Sequence, residues 1–229
     1  MKRHLANFFT ILSLFAGFLS IVLSLEEHFT FACWFIFISV ILDGLDGQIA
    51  RINLTANDLG KELDSLVDVV SFGLAPSILG YTFIYREFYL GAVLGLFFYL
   101  LCSTWRLARY NVTPMDKDKI FYFYGLPTTA SGASLASFVL IYRKKESLGY
   151  LPYLFLFLVI ILGILMISKI HYLNLDGIKR LFGRRFSVFC LILIALLILS
   201  LFLGFSGMTL FLVCLVYIFS PLLIKNLKI

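Results

Sequence analysis

Four aspartates, Asp43, Asp46, Asp64 and Asp68, interrupt otherwise apolar sequence at intervals of three and four residues within each pair. An α-helix turns about 100° per residue, so such intervals hold side chains on one face. Asp43, Asp46, Gly47 and Ala50 form one stripe, with Arg51 at its edge. Gly60, Asp64, Asp68 and Ser71 form a second on the following helix. The turn between them, Asn53–Leu59, carries Thr55 and Asn57, either of which can cap the next helix. A short turn makes the two helices antiparallel neighbours whose stripes can face each other. One aspartate at the centre of a spanning helix costs about 2.5–3.5 kcal/mol, and four on the order of 10 kcal/mol. Something cationic must therefore gather there. Carboxylates are hard oxygen ligands, suited to Mg²⁺, Mn²⁺ or Ca²⁺ rather than zinc or copper. Mg²⁺ usually takes few carboxylates and shares substrate phosphates. Gly47 and Gly60 leave room for a flat base and a diphosphate, or serve close helix packing. Arg51 adds a fork for phosphate oxygens.

The elements that position these residues follow from composition. The chain has 229 residues, 61% hydrophobic and only 14% charged, with a mean hydropathy of +0.99. A soluble chain carries roughly a quarter charged residues, and disorder needs low hydrophobicity, so both are excluded. A spanning helix takes about 20 apolar residues. Eight apolar segments are legible, at 8–25, 29–52, 59–85, 88–110, 126–142, 150–168, 186–205 and 208–223. They lack the period-two alternation of barrel strands. The fold class expected is an all-α integral membrane protein with eight transmembrane helices. Met1-Lys2-Arg3-His4 before an apolar run has the outline of a signal peptide, but the hydrophobicity recurs to the C-terminus, so this run reads as the first span.

With that topology, 15 of the 19 Lys and Arg residues fall on the side of the N-terminus. The other side holds Arg86, Arg143, Lys144 and Lys145. Positive charge stays inside, so both termini and the acidic cluster should be cytoplasmic in a multi-pass cell-membrane protein. No nucleic-acid partner is expected. The connection Lys169–Arg185 reads equally as a helix lying on the anionic leaflet or as a basic loop. The chain divides into a catalytic core at 1–170, a basic connection at 171–185 and a C-terminal helical pair at 186–229. That last pair lacks acidic residues and reads as scaffold. Cys33, Cys102, Cys190 and Cys214 show no metal-ligand spacing and read as small buried hydrophobes. Gly91-x-x-x-Gly95 marks a close helix contact, within one chain or between two.

The run Asp43-Gly44-Leu45-Asp46-Gly47-Gln48-Ile49-Ala50-Arg51, then Gly60, Asp64 and Asp68, matches DxxDGxxARx8GxxxDxxxD at all eight fixed positions. It resembles the signature of the CDP-alcohol phosphotransferases. Ser71-Phe72-Gly73-Leu74-Ala75-Pro76, Arg106-Leu107-Ala108-Arg109-Tyr110-Asn111 and Phe123-Tyr124-Gly125-Leu126-Pro127 are similar to segments of one branch, the CDP-diacylglycerol–serine O-phosphatidyltransferases. Asn7-x-x-Thr10 resembles the family's PNxxT entry motif, with Ala6 in place of the proline.

The resemblance implies a six-helix core with two added C-terminal helices and a homodimer. The donor would be a CDP-linked lipid, CDP-diacylglycerol or an ether analogue, and the acceptor L-serine. Two divalent ions, Mg or Mn, would be held by Asp43, Asp46, Asp64 and Asp68. Asp68 would take the serine hydroxyl proton. Asn7, Thr10, Gly47, Ala50, Arg51 and Gly60 would bind the CDP-lipid. Ser71, Arg106, Arg109 and Asn111 would bind serine. A sister enzyme using glycerol-phosphate or inositol-phosphate is the nearest alternative. A cation transporter is the alternative of another class, although nothing acidic continues a path through spans four to eight.

Overall fold

The computed structural model describes residues 2–52, 58–112, 122–143, 149–174 and 204–226, with isolated positions between 177 and 201. Helices dominate: α1 (Lys2–Leu25), α2 (Phe29–Ile52), α3 (Asp58–Asp68), α4 (Ala75–Ile84), α5 (Tyr89–Val112), α6 (Thr128–Tyr142), α7 (Leu151–Ile167) and α8 (Ser206–Asn226). A π-helical turn, Val69–Leu74, joins α3 to α4, so that Leu59–Ile84 forms one apolar rod of 26 residues. Among the described residues, four helices are long and apolar enough to cross a bilayer. Six of the eight expected segments are clearly present and the third is the composite rod. The seventh, 186–205, lies largely outside the described residues.

Burial runs in the sense that a lipid solvent dictates. On α1, Phe8, Ile11, Phe15 and Phe18 form an outward stripe, each more than half exposed. The opposite face carries Ser13, Ser20 and Ser24, all buried. Lipid tails are as apolar as Leu, so helices associate through small residues and interhelical hydrogen bonds. The Ser13 and Ser39 hydroxyls meet at 2.7 Å across α1 and α2, and Ser20 Oγ donates to the Ala32 carbonyl at 2.9 Å. Glu27 turns the chain between these helices in the left-handed region, φ 60°. Its carboxylate pairs with Arg86 in the α4–α5 turn, tying two connections together at the end of the molecule away from Asp43 and Asp46. Both partners are substantially exposed, so the pair adds little stability.

The π turn has a local cause. Pro76 has no N–H, so the Phe72 carbonyl four residues earlier lacks its helical donor. Tyr99 Oη on α5 supplies one at 3.0 Å. The Ala75 amide reaches back to Val70, one residue further than in an α-helix. Gly91 and Gly95 of α5 take in Leu156 of α7; a Cβ on Gly95 would lie 2.6 Å from it. The GxxxG pattern therefore serves packing within this chain. Gly163 of α7 returns the arrangement, receiving the ring of Phe98.

Two short strands depart from the all-helical expectation. β1 (Tyr122–Tyr124) pairs antiparallel with β2 (His171–Leu173), with Phe123 opposite Tyr172. The start of the basic connection is thus neither surface helix nor loop but strand, because the ends of α5 and α7 bring two polar segments side by side. Residues 178–185 lie outside the described residues, as does Cys190. Cys33 and Cys102 are buried free thiols, as expected.

Gly17 of α1 seats on the π turn: a Cβ there would lie 2.5 Å from Ser71 Oγ and 2.9 Å from its Cα. Gly17→Ala gains about 1 kcal/mol of helix propensity. Overpacking against backbone costs about 1–3 kcal/mol, and the backbone cannot swing aside. The net expectation is a Tm in detergent lowered by a few degrees, read by thermal unfolding.

Candidate active site

Asp43 and Asp46 sit near the end of α2, and Asp64 and Asp68 on the facing side of α3. One oxygen each from Asp43, Asp64 and Asp68 lies within 4.8 Å of the others. Asp46 is held slightly apart, its Oδ2 accepting from Thr10 Oγ1 of α1 at 2.9 Å. All four line one cavity of about 500 Å³. Two carboxylates 4.8 Å apart repel by about 3 kcal/mol at an effective dielectric constant near 20. Three such pairs approach the whole stability of a typical domain. The cluster therefore needs positive charge, and its all-oxygen donor set fits a hard divalent cation. Asp68 Oδ1 is fully buried without a hydrogen-bond partner, the kind of orphaned atom that a ligand satisfies.

Arg106 of α5 lines the same cavity and is 7% exposed. Its Nη1 donates to Thr128 Oγ1 at the start of α6, at 3.3 Å, while its Nε is buried without a partner. A buried guanidinium needs an anion, and this one stands across from four of them with a donor to spare.

The glycines divide by role. A Cβ on Gly44 or Gly47 would meet nothing within 4 Å, and both line the cavity. Their value here is open volume, not helix packing. Gly60 lies beside Asn7, whose Oδ1 would be 3.7 Å from an added Cβ. Asn7 and Thr10 thus approach the two acidic helices from α1. Ala50 and Arg51 belong to α2, but their side chains lie outside the described residues.

The four expected serine contacts separate. Arg106 lines the cavity, and Asn111 does so at its margin, with Nδ2 donating to Ser65 Oγ at 2.9 Å. Ser71 and Arg109 are not among the lining residues. Ser71 Oγ donates to the Ser13 carbonyl at 3.2 Å, fastening the π turn to α1. Arg109 donates to the carbonyls of Tyr124, Met166, Ile167 and Ser168, closing the end of α7 onto β1. Gly125 follows β1 with φ 78°, and an added Cβ would run into the Met166 carbonyl. The Gly-Leu-Pro sequence is therefore a tight entry into α6 that places Thr128 against Arg106.

Sequence reading missed Lys61 and Ser65, which also line the cavity. Their spacing from Asp64 and Asp68 puts them on the same helical face, so periodicity alone could have found them. It also missed Thr128, Asn174 and Tyr217. Nothing in their local sequence marks them, because long-range packing brings them in.

Carboxylates converging beside a buried guanidinium are compatible with a site for a divalent cation and a phosphate-bearing substrate. The chain belongs to the CDP-alcohol phosphatidyltransferase family, whose model matches residues 3–167. Members of that family generally use divalent metals, with which the acidic triad is compatible. The chain is 38% identical over 175 residues to a CDP-diacylglycerol–serine O-phosphatidyltransferase of Helicobacter pylori, covering 76% of this chain and 73% of that protein. It is 35% identical over 176 residues to the archaetidylserine synthase of Methanothermobacter thermautotrophicus, covering 76% and 71%. It is 36% identical over 163 residues to a CDP-diacylglycerol–serine O-phosphatidyltransferase of Saccharomyces cerevisiae, covering 66% and 58%.

Thr10→Val keeps the shape of the side chain and removes its hydrogen bond to Asp46. Partners that orient metal ligands typically carry 10–100-fold in metal affinity. The expected result is a rise of about tenfold in the Mg²⁺ or Mn²⁺ concentration giving half-maximal activity, with thermal unfolding little changed. An unaltered metal titration would show that Thr10 does not orient Asp46.

Proposed function

We propose that this protein transfers a phosphatidyl group from a CDP-linked lipid, CDP-diacylglycerol or its ether analogue, to L-serine, releasing CMP and leaving phosphatidylserine. The observation that carries this reading is the convergence of Asp43, Asp64 and Asp68, with Asp46 beside them, on one cavity that also holds buried Arg106. The names of the similar proteins support serine as acceptor.

Asp43, Asp46, Asp64 and Asp68 would hold two divalent ions, Mg or Mn, which supply neutralisation of the donor diphosphate. Gly44 and Gly47 leave the space in which the nucleotide lies. By the family resemblance, Asn7, Thr10, Ala50 and Gly60 would contact the CDP-lipid, and Arg51 would take a phosphate oxygen. Arg106 anchors the serine carboxylate, with Asn111 at the rim. Ser71 and Arg109 act indirectly, by fixing the π turn and the end of α7 around that anchor. Asp68 Oδ1 takes the proton of the serine hydroxyl as its oxygen forms the new bond to the lipid phosphorus. The bond to the CMP oxygen breaks, and CMP leaves with that electron pair. A carboxylate is a weak base for an alcohol, so in-line positioning supplies much of the rate. The reaction takes place at the cytoplasmic face, with both termini on that side, in keeping with the sorting of basic residues. A homodimer is part of this reading through the family resemblance.

Purified protein incubated with CDP-diacylglycerol, Mg²⁺ or Mn²⁺ and a panel of alcohols tests it directly. CMP release is expected with serine. Release only with glycerol-phosphate or inositol-phosphate would replace serine as acceptor, and no release with any acceptor would point to cation transport. Asp68→Asn should lower turnover by at least 10²–10⁴-fold while CDP-lipid binding persists. Substantial residual turnover would remove Asp68 as the base.

A further inference from the structure

Leu173, Asn174 and Tyr217 are the described cavity-lining residues that fall outside the stretch matched to the family, 3–167. Tyr217 comes from α8, part of the pair that reads as scaffold in sequence. Its ring packs against Tyr172 of β2 with centroids 5.8 Å apart, and its hydroxyl donates to the Leu173 carbonyl at 3.0 Å. Tyr172 is nearly fully buried, so this contact fastens α8 to the strand pair. The C-terminal helix therefore supplies a tyrosine to the wall of the site, its hydroxyl fixed by the Leu173 carbonyl.

The chemistry of that atom is constrained. A tyrosine hydroxyl has one proton, and here it is committed to Leu173. To any further partner the oxygen offers acceptor lone pairs only. Arg106, which lines the same cavity, offers donors only. A donor-only cation and an acceptor-only oxygen on one wall complement a small molecule with one anionic and one ammonium end. Resting on the reading of serine as acceptor, we propose that Tyr217 is a specificity residue. Its hydroxyl oxygen accepts from the serine ammonium while Arg106 takes the carboxylate. An acceptor without an ammonium group leaves that oxygen unanswered, and a buried polar group left unpaired discriminates strongly.

The test uses the full-length protein in detergent with CDP-diacylglycerol, and two half-analogues of serine as substrates or competitive inhibitors: 3-hydroxypropionate, which lacks the ammonium, and ethanolamine, which lacks the carboxylate. The wild type should bind 3-hydroxypropionate about tenfold or more weakly than serine, the usual size of a hydrogen bond to a charged group. Equal binding would overturn the proposal without any variant. Tyr217→Phe keeps the ring against Tyr172. It should raise the serine KM about tenfold and leave the CDP-diacylglycerol KM and the 3-hydroxypropionate affinity unchanged. Equal losses for serine and 3-hydroxypropionate, a shifted donor KM or an unchanged serine KM would each overturn it. Failure of the wild type to release CMP with serine would instead strike the proposed function, so the two failures are distinguishable.

Discussion

Mutual repulsion among carboxylates held in an apolar protein is the constraint on which this structure turns. Asp43, Asp64 and Asp68 bring oxygens within 4.8 Å of one another, against a cost that approaches the stability of a whole domain. A bound cation, the Arg106 guanidinium or protons taken up by the carboxylates themselves relieve that cost. The α1–α2 serine contacts, the seat of Gly17 on the π turn and the Tyr99 bond to the freed Phe72 carbonyl all hold the two acidic helices where that charge can be shared. A hydrophobic core of the soluble kind could not do this in lipid, where close backbone approach and internal hydrogen bonds replace it. On α1 buried serines face inward and exposed phenylalanines outward for the same reason.

The site is asymmetric in how it is built. The acidic side comes from two helices adjacent in sequence, joined by a short turn. The cationic side is assembled from distant pieces: Arg106 near the end of α5, Thr128 at the start of α6, and Tyr217 on α8. Arg109 holds that second side together without entering it, by gathering carbonyls at the close of α7 and from β1. Two neighbouring arginines on one helix thus do different work, one toward the cavity and one toward the backbone around it.

That asymmetry explains what could be read in advance. The four aspartates, their shared faces and the helical membrane class were legible because helical periodicity and hydropathy are local properties. Asp46 contacting Thr10 rather than joining the tight triad was not, since it depends on the approach of α1. The strand pair was hidden because Tyr122–Tyr124 and His171–Leu173 are each three residues long and lie 47 or more positions apart, with no pattern until they meet. Arg106 and Arg109 look alike in sequence; only the neighbouring ends of α6 and α7 divide their roles. Tyr217 was lost among apolar neighbours for the same reason.

The π turn carries one more consequence. Its wider winding sits between Asp68 and Pro76, so the acidic half of the rod and the half packed on α5 and α7 are phased by one extra residue. Removing that residue would rotate one half against the other by about 100°, aiming either the carboxylates or Gly80 into lipid. Along this helix, related chains should therefore tolerate changes of side chain but neither insertions nor deletions, whereas the polar connections beyond α5 and α7 are at liberty to differ in length.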